Sequence, residues 1–185
     1  MIAGGRVRGR GNLSIYRSTG LIVVLLTLAA CGQPGVEPKG EAAAPAATVF
    51  SYAATSDLSG YYRPAADVPL GDWRLEQVFV GQAPAFEAWA GGARAGNGPV
   101  TIQFGGARGV STRVQPTRYS VTDTRLAFEG RSPELGIVSF DGRLDPGALA
   151  TAKRNLGRDG VVVTGTLTAG GQTARNVRLT WGMGD

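Results

Sequence analysis

The 185-residue chain predicts a mainly β protein, a single antiparallel β-barrel or sandwich of eight or nine short strands with one helix near 146–156. Three observations carry that prediction. Apolar and polar residues alternate at period two in many short runs, the spacing of strands with one buried face. Those runs are punctuated by turn residues, above all by the chain's 29 glycines. Only one stretch has strong helix signals at both of its ends. Many short strands with little helix make a layered or closed antiparallel sheet.

Taken in order, the β domain is placed at 56–185 and opens at Ser59-Gly60-Tyr61-Tyr62, before a loop from Pro64 to Pro69. Gly71-Asp72-Trp73 leads into a strand reaching Val80, in which Trp73 and Leu75 share one parity and Val78 and Val80 the other. A parity change inside one run predicts a β-bulge near Glu76. Pro84 to Trp89 spell one turn of helix, with proline at a permitted first position, Phe86 and Trp89 on one face, and Gly91-Gly92 as its end. Val100, Ile102 and Phe104 then alternate with Thr101 and Gln103 as a half-buried strand. Short strands follow around Val114, at Tyr119 and Val121, at Leu126 and Phe128, and at Val138 and Phe140. Thr122-Asp123-Thr124 and Arg131 to Gly136 are the turns between the last three, and Asp141-Gly142 and Asp159-Gly160 also carry turn signals.

The helix runs from Asp145 to Gly157. Asp145 is a capping residue, Pro146 suits the first turn, Lys153 and Arg154 complement the carboxyl end of the dipole, and Gly157 suits the left-handed stop. Leu149 and Leu156 lie on one stripe and are expected to plug one side or end of the sheet. A long hairpin closes the chain, with Val163, Leu167, Leu179 and Trp181 inward and Thr164, Thr166 and Arg178 outward about the turn Ala169-Gly170-Gly171.

Ahead of the domain, Leu21 to Cys31 (LIVVLLTLAAC) is an apolar run that ends on the only cysteine. Arg6, Arg8, Arg10 and Arg17 precede it with no acidic residue, the asymmetry that keeps an amino terminus cytoplasmic. As a helix the run reaches only about 15 to 17 Å, half of a hydrocarbon core about 30 Å thick, so it reads as a cleaved segment and not a span. Leu28-Ala29-Ala30-Cys31 resembles the lipobox of bacterial lipoproteins. The resemblance implies a signal peptide at 1–30, cleavage between Ala30 and Cys31, and a diacylglycerol (with a further acyl chain such as palmitate) on the Cys31 sulfur. Residues 31–55, rich in Gly, Ala and Pro, then read as a tether with a reach of roughly 25 to 29 Å. Gly32 stands where an aspartate retains many such proteins in the inner membrane, so the resemblance points to the outer membrane.

Without residues 1–30 the chain carries 15 basic and 14 acidic groups, a net of +1 against +5 for the whole. The basic balance belongs to the signal, and a nucleic-acid partner loses its support. There is no histidine, and the single cysteine is assigned to lipid. This excludes His/Cys metal sites, histidine-based nucleophilic machinery and disulfides; no cofactor, metal or catalytic residue is assigned.

Two further resemblances concern the domain. Val163 to Thr168 with Gly171, Thr173, Val177 and Leu179 is similar to the closing hairpin of the YceI-like family, lipocalin-like periplasmic barrels that hold isoprenoids, with one extra residue between Gly171 and Val177. Gly71-Asp72-Trp73 is similar to the G-x-W of lipocalins, which implies that Trp73 packs under an arginine of the last strand, here Arg178. The residues expected to line a pocket or fill the core are Trp73, Leu75, Ile102, Phe104, Tyr119, Phe128, Phe140 and Trp181. This set is mostly large, which favours a filled interior.

Gly91-Gly92-Ala93-Arg94 and Gly105-Gly106-Ala107-Arg108 lead into no predicted helix, so they read as loops and not phosphate cradles. Arg113, Arg118, Arg125, Arg131 and Arg143 form either a surface for an anionic glycan or a mixed solvated face shared with Asp123, Glu129, Glu134 and Asp141. The function expected is a lipid-anchored, non-enzymatic binding or structural module of the bacterial envelope, with an envelope protein or apolar small molecule as partner. A lipocalin-like carrier of an isoprenoid is the second reading. A hydrolase using Glu129 and Asp141 is the third.

The alternation places Leu179 in the core, so Leu179→Ala is expected to cost about 2 to 5 kcal/mol through lost transfer energy and a cavity. Urea denaturation measures it, and a loss below about 0.5 kcal/mol would mean that the register is wrong.

Overall fold

The computed structural model describes residues 49–94, 96–156 and 160–184. Along them run β1 (Phe50–Tyr52), β2 (Gly60–Pro64), β3 (Pro69–Leu70), β4 (Trp73–Val80), α1 (Ala83–Ala90), β5 (Val100–Gly106), β6 (Ser111–Val114), β7 (Pro116–Thr122), β8 (Arg125–Ser132), β9 (Gly136–Leu144), α2 (Pro146–Asn155), β10 (Val163–Ala169) and β11 (Gln172–Gly182). They form one curled sheet in the order β1-β7-β8-β9-β10-β11-β2-β4-β5-β6, with β3 paired to β4. The chain is mainly β, as the alternation predicts.

The finer expectation is corrected in four respects. The sheet is an open half-barrel, neither a closed barrel nor a sandwich, because β1 and β6 do not pair with each other. There are eleven strands and two α-helices among the described residues. Strands β1 and β3, of three and two residues, are too short to show a period in sequence. The pairing is not purely antiparallel, since β1 runs parallel to β7. The sheet thus begins inside the segment that composition assigns to the tether.

Other features follow the sequence closely. The β4–β5 register shifts between Leu75 and Gln77, leaving Glu76 as the extra residue of a bulge. The β10–β11 register shifts between Gly165 and Leu167, which absorbs the additional residue before Val177, and Asn176 there takes φ 57°. Val163, Leu167, Leu179 and Trp181 are buried, and Thr164, Thr166 and Arg178 are exposed. Asp145 caps α2 by accepting from Ala148 N at 3.0 Å. Leu156, however, is 68% exposed and plugs nothing; it takes the left-handed conformation (φ 51°) that ends the helix, and Gly157 lies outside the described residues.

Glycines allow the sheet to curl. Gly142 and Gly165 are cross-strand partners, and a Cβ on either would come within 2.7 to 3.0 Å of the Phe140 ring. Gly130 is crossed by the chain at Gln115, whose carbonyl would lie 2.4 Å from a Cβ there. The turn signal at Asp141-Gly142 is therefore corrected: both residues are in the middle of β9, and Gly142 is there to seat an aromatic ring. Gly60 (φ 141°) plays the same part for Trp181, whose Nε1 donates to Ser59 O at 2.9 Å.

Helix α1 covers the opening of the half-barrel. Phe86 and Trp89 are buried; Phe86 stacks on Tyr52 with centroids 4.3 Å apart and meets Tyr119 edge-on at 5.2 Å. The Tyr119 hydroxyl donates to Phe86 O at 3.0 Å, satisfying a buried polar atom. Burial raises the Tyr119 pKa. Arg94 adds a cation over the Trp89 and Phe50 rings and donates to Trp89 O, clasping β1 to α1.

Two carboxylates tie down the start of the domain. Asp123, at the β7–β8 turn, accepts from Thr55 N, Thr55 Oγ1 and Ser56 N at 2.8 to 3.1 Å. Asp57 accepts from Lys153 Nζ of α2 at 2.8 Å, and that ammonium also lies over the Trp181 ring. For Asp123 the Ser56 and Thr55 donors hold the carboxyl at about 2. For Asp57 burial works upward, but the Lys153 and Ser59 bonds outweigh it and hold the carboxyl at about 2. Both folded values lie below the ordinary 3.8, so these groups contribute stability above that value and lose it as the pH falls toward about 2. Stability is expected to fall across that window, and Asp123→Asn should flatten the fall; acid titration by circular dichroism measures both, and an identical profile for the variant would refute the tie.

Candidate functional site

The outer face of the sheet is a grid of side chains set by the register. One row across β7, β8, β9 and β10 reads Ser120, Ala127, Asp141, Thr166, and the next reads Arg118, Glu129, Ser139, Thr168. Ser120, Ala127, Ser139, Thr166 and Thr168 are small, Arg118, Arg125, Glu129 and Asp141 stand among them, and the surface between holds a groove of about 540 Å³. The strand segments at Tyr119, Phe128 and Phe140 floor it, and Ser51 of β1 closes one side. No single strand makes this groove; it needs the β7–β8–β9–β10 order.

The two carboxylates considered for acid–base chemistry both stand on it. Glu129 is opposite Ser139 and Asp141 is opposite Ala127, so they are diagonal neighbours, with backbones roughly 7 to 8 Å apart. Asp141 is held by Arg125 through two bonds, Nε to Oδ1 at 3.0 Å and Nη2 to Oδ2 at 2.9 Å. The Arg125 hydrogen bonds lower the Asp141 pKa against a smaller opposing effect of burial. That suits an anion at neutral pH and not a proton donor. The pair is more than half exposed on both sides, so it orders the surface more than it stabilises the fold.

The sequence-derived candidates fall in three places. Leu75, Ile102, Phe104 and Trp181 are buried within one apolar cluster, along with the side chains of Tyr119, Phe128 and Phe140. Trp73 is half-buried and packs against Gly106, where a Cβ would meet its ring at 2.9 Å. Ala30 and Cys31 lie outside the described residues. The partner role that the lipocalin resemblance assigns to Arg178 is corrected: Arg178 faces outward opposite Thr164, and the cation over a last-strand tryptophan is Lys153 on Trp181.

Of the five arginines singled out, Arg118 and Arg125 rim the groove, and Arg143 lies next to it in a depression shared with Arg178 and Asp145. Arg131 is exposed farther along β8, and Arg113 is on β6. They do not form one patch. The first of the two Gly-Gly-Ala-Arg stretches follows the carboxyl end of α1, and the second ends β5 and runs into a three-residue 3-10 turn (Ala107–Gly109) in which Arg108 takes φ 62°, so neither leads into an α-helix. Among the described residues no cluster of His, Cys, Asp and Glu is placed to hold a metal ion, and no helix is long and apolar enough to cross a membrane.

Comparison with protein-family models, with curated proteins and with solved structures finds no match to this chain. The fold and the groove define its class: a curled, open β-sheet domain with a packed apolar interior and a polar outer face. Removing the Arg125 guanidinium should release Asp141, so Arg125→Ala is expected to raise the Asp141 carboxyl toward the ordinary range. Carboxyl chemical shifts followed through an acid titration measure this, and an unmoved titration would show that the pair does not form in solution.

Proposed function

We propose that the chain is a diacylglycerol-anchored lipoprotein of the bacterial envelope, held at the outer membrane, whose β domain is a non-enzymatic binding or structural module. The observation that carries the anchor is Leu28-Ala29-Ala30-Cys31 at the end of a short apolar run behind Arg6, Arg8, Arg10 and Arg17. In this reading residues 1–30 are removed, Cys31 becomes the lipidated amino terminus, and the chain from 31 to the first strand at Phe50 is the tether. The module reading is supported by the outer face, where a groove of about 540 Å³ carries the Arg125–Asp141 pair on its rim.

Neither competing reading has comparable support. A carrier of an apolar ligand needs interior space, and the residues offered for it, apart from the half-buried Trp73, are buried together in one apolar cluster. A carboxylate hydrolase needs one acid kept protonated, and Asp141 is shifted the opposite way.

The test is on Cys31. Two or three acyl chains, each methylene contributing about 0.8 kcal/mol on burial, hold a protein on a membrane far more firmly than one chain does. The wild-type protein is expected to incorporate labelled palmitate and to stay with membranes through a high-salt wash. Cys31→Ala is expected to lose the label. Recovery of the wild-type protein in soluble form with an unmodified thiol would overturn the proposal.

A further inference from the structure

A second surface, apart from the groove, is built with more care. On the outer face of β2, β4, β5 and β6 the polar side chains form one directed hydrogen-bond chain. Gln103 Nε2 donates to Glu76 Oε2 at 2.8 Å, Gln77 Nε2 donates to Gln103 Oε1 at 3.1 Å, and Arg63 Nε donates to Gln77 Oε1 at 3.5 Å. Arg113 joins it by donating to Asn97 Oδ1 at 2.9 Å and to Gln103 Oε1 at 3.4 Å. A carboxylate at one end and guanidiniums at the other orient both amides between them, so every remaining donor and acceptor points in a set direction.

The backbone is shaped for this arrangement. The bulge at Glu76 turns its side chain across β5, and Gly105 leaves the space it occupies: a Cβ there would lie 2.2 Å from Glu76 Oε1. Beside the chain, Tyr61 and Phe79 are direct cross-strand partners, half-buried, with ring centroids 5.2 Å apart and tilted by 49°. The Tyr61 hydroxyl has no partner among the described residues. A cleft of about 60 Å³ between the aromatic pair and Gln103 adjoins a shallower depression of about 390 Å³, and both are lined by Asn97, Gln103 and Arg113. From β2 to β6 the surface spans three strand spacings, roughly 14 Å, longer than one sugar ring.

We propose that this face binds a glycan, taking a pyranose ring against Tyr61 and Phe79 and its hydroxyls on Gln77, Gln103, Asn97 and Glu76. A pyranose has an apolar C–H face and a rim of hydroxyls that both donate and accept. Aromatic rings match the first, and planar amide and carboxylate groups in fixed orientation match the second. The amides need no rearrangement on binding, which lowers the ordering cost that weakens most polar recognition. A phosphate-bearing ligand fits less well. Two Arg113 donors are already engaged with amide oxygens, and Glu76 places a negative charge in the same chain. The site does not depend on lipidation or on the β7–β10 groove.

The full-length protein in detergent is titrated calorimetrically with cellotetraose, chitotetraose and tetragalacturonate. Saturable binding to at least one is expected, weakened by at least about tenfold in Gln103→Ala and in Tyr61→Ala, and unchanged in Arg154→Ala, an exposed position on α2. Circular dichroism and urea midpoints establish that each variant folds; if Gln103→Ala does not, Tyr61→Ala, which alters a half-exposed ring, provides the same comparison. No saturable binding of any of the three at millimolar concentration, or wild-type affinity in folded Gln103→Ala or Tyr61→Ala, would overturn the proposal.

Discussion

An open sheet that curls has to cover its own mouth, and in this domain the contact between Phe86 and Tyr119 does so. Tyr119 lies on β7, beside the edge strand β1, and Phe86 is on the short helix that follows β4. The ring contact and the hydroxyl bond to Phe86 O bring distant parts of the chain together where a closed barrel would have ladder hydrogen bonds. Strand β1 depends on the same cluster, because three residues of parallel pairing are a weak hold without the Tyr52 stack on Phe86 and the Arg94 clasp over Phe50. The direct step from β6 to β7 through Gln115 explains why the ladder stops there. Pro116 has no N–H to offer, and the crossing chain presses on Gly130.

Curvature and core are one problem in this fold. Large rings at Phe128, Phe140 and Trp181 fill the concave side because glycines leave room for them, Gly130 and Gly142 two residues along the same strands and Gly165 and Gly60 on adjacent ones. Each pairing replaces two side chains by one ring over bare backbone, which lets the strands approach and bend. Helix α2 closes the remaining side by burying Leu149 and Ala152, with Lys153 reaching both Asp57 and the Trp181 ring. The interior is thereby committed to packing.

That outer face divides by chemistry. Over β7 to β10 small residues lie between charged ones, and Arg125 and Asp141 form an exposed ion pair. Over β2 to β6 the charges stand at the ends of an amide chain beside two aromatic rings. The first is a groove with a solvated rim; the second holds its donors and acceptors in place before any ligand arrives.

Period-two alternation determined the strands and their buried faces, because the sign of each position is written in its own residue. Leu126, Phe128, Val138, Phe140, Val163, Leu167, Leu179 and Trp181 could all be assigned inward from sequence. The bulge at Glu76 and the cap at Asp145 were legible for the same reason: each is a local signal with a local cause. Closure was not legible. Whether the end strands pair depends on the Gln115-Pro116 step that follows β6 and on the placement of α1, which lies far in sequence from both edges. Gly142 read as a turn because a glycine beside an aspartate has the same local signature whether it frees a backbone or seats a ring; only its partner Gly165 and the Phe140 ring distinguish the two. The surface sites lay furthest beyond the sequence. Gln77, Gln103 and Arg113 carry no motif, and they meet because β4, β5 and β6 pair in one register, a choice the tertiary structure alone makes.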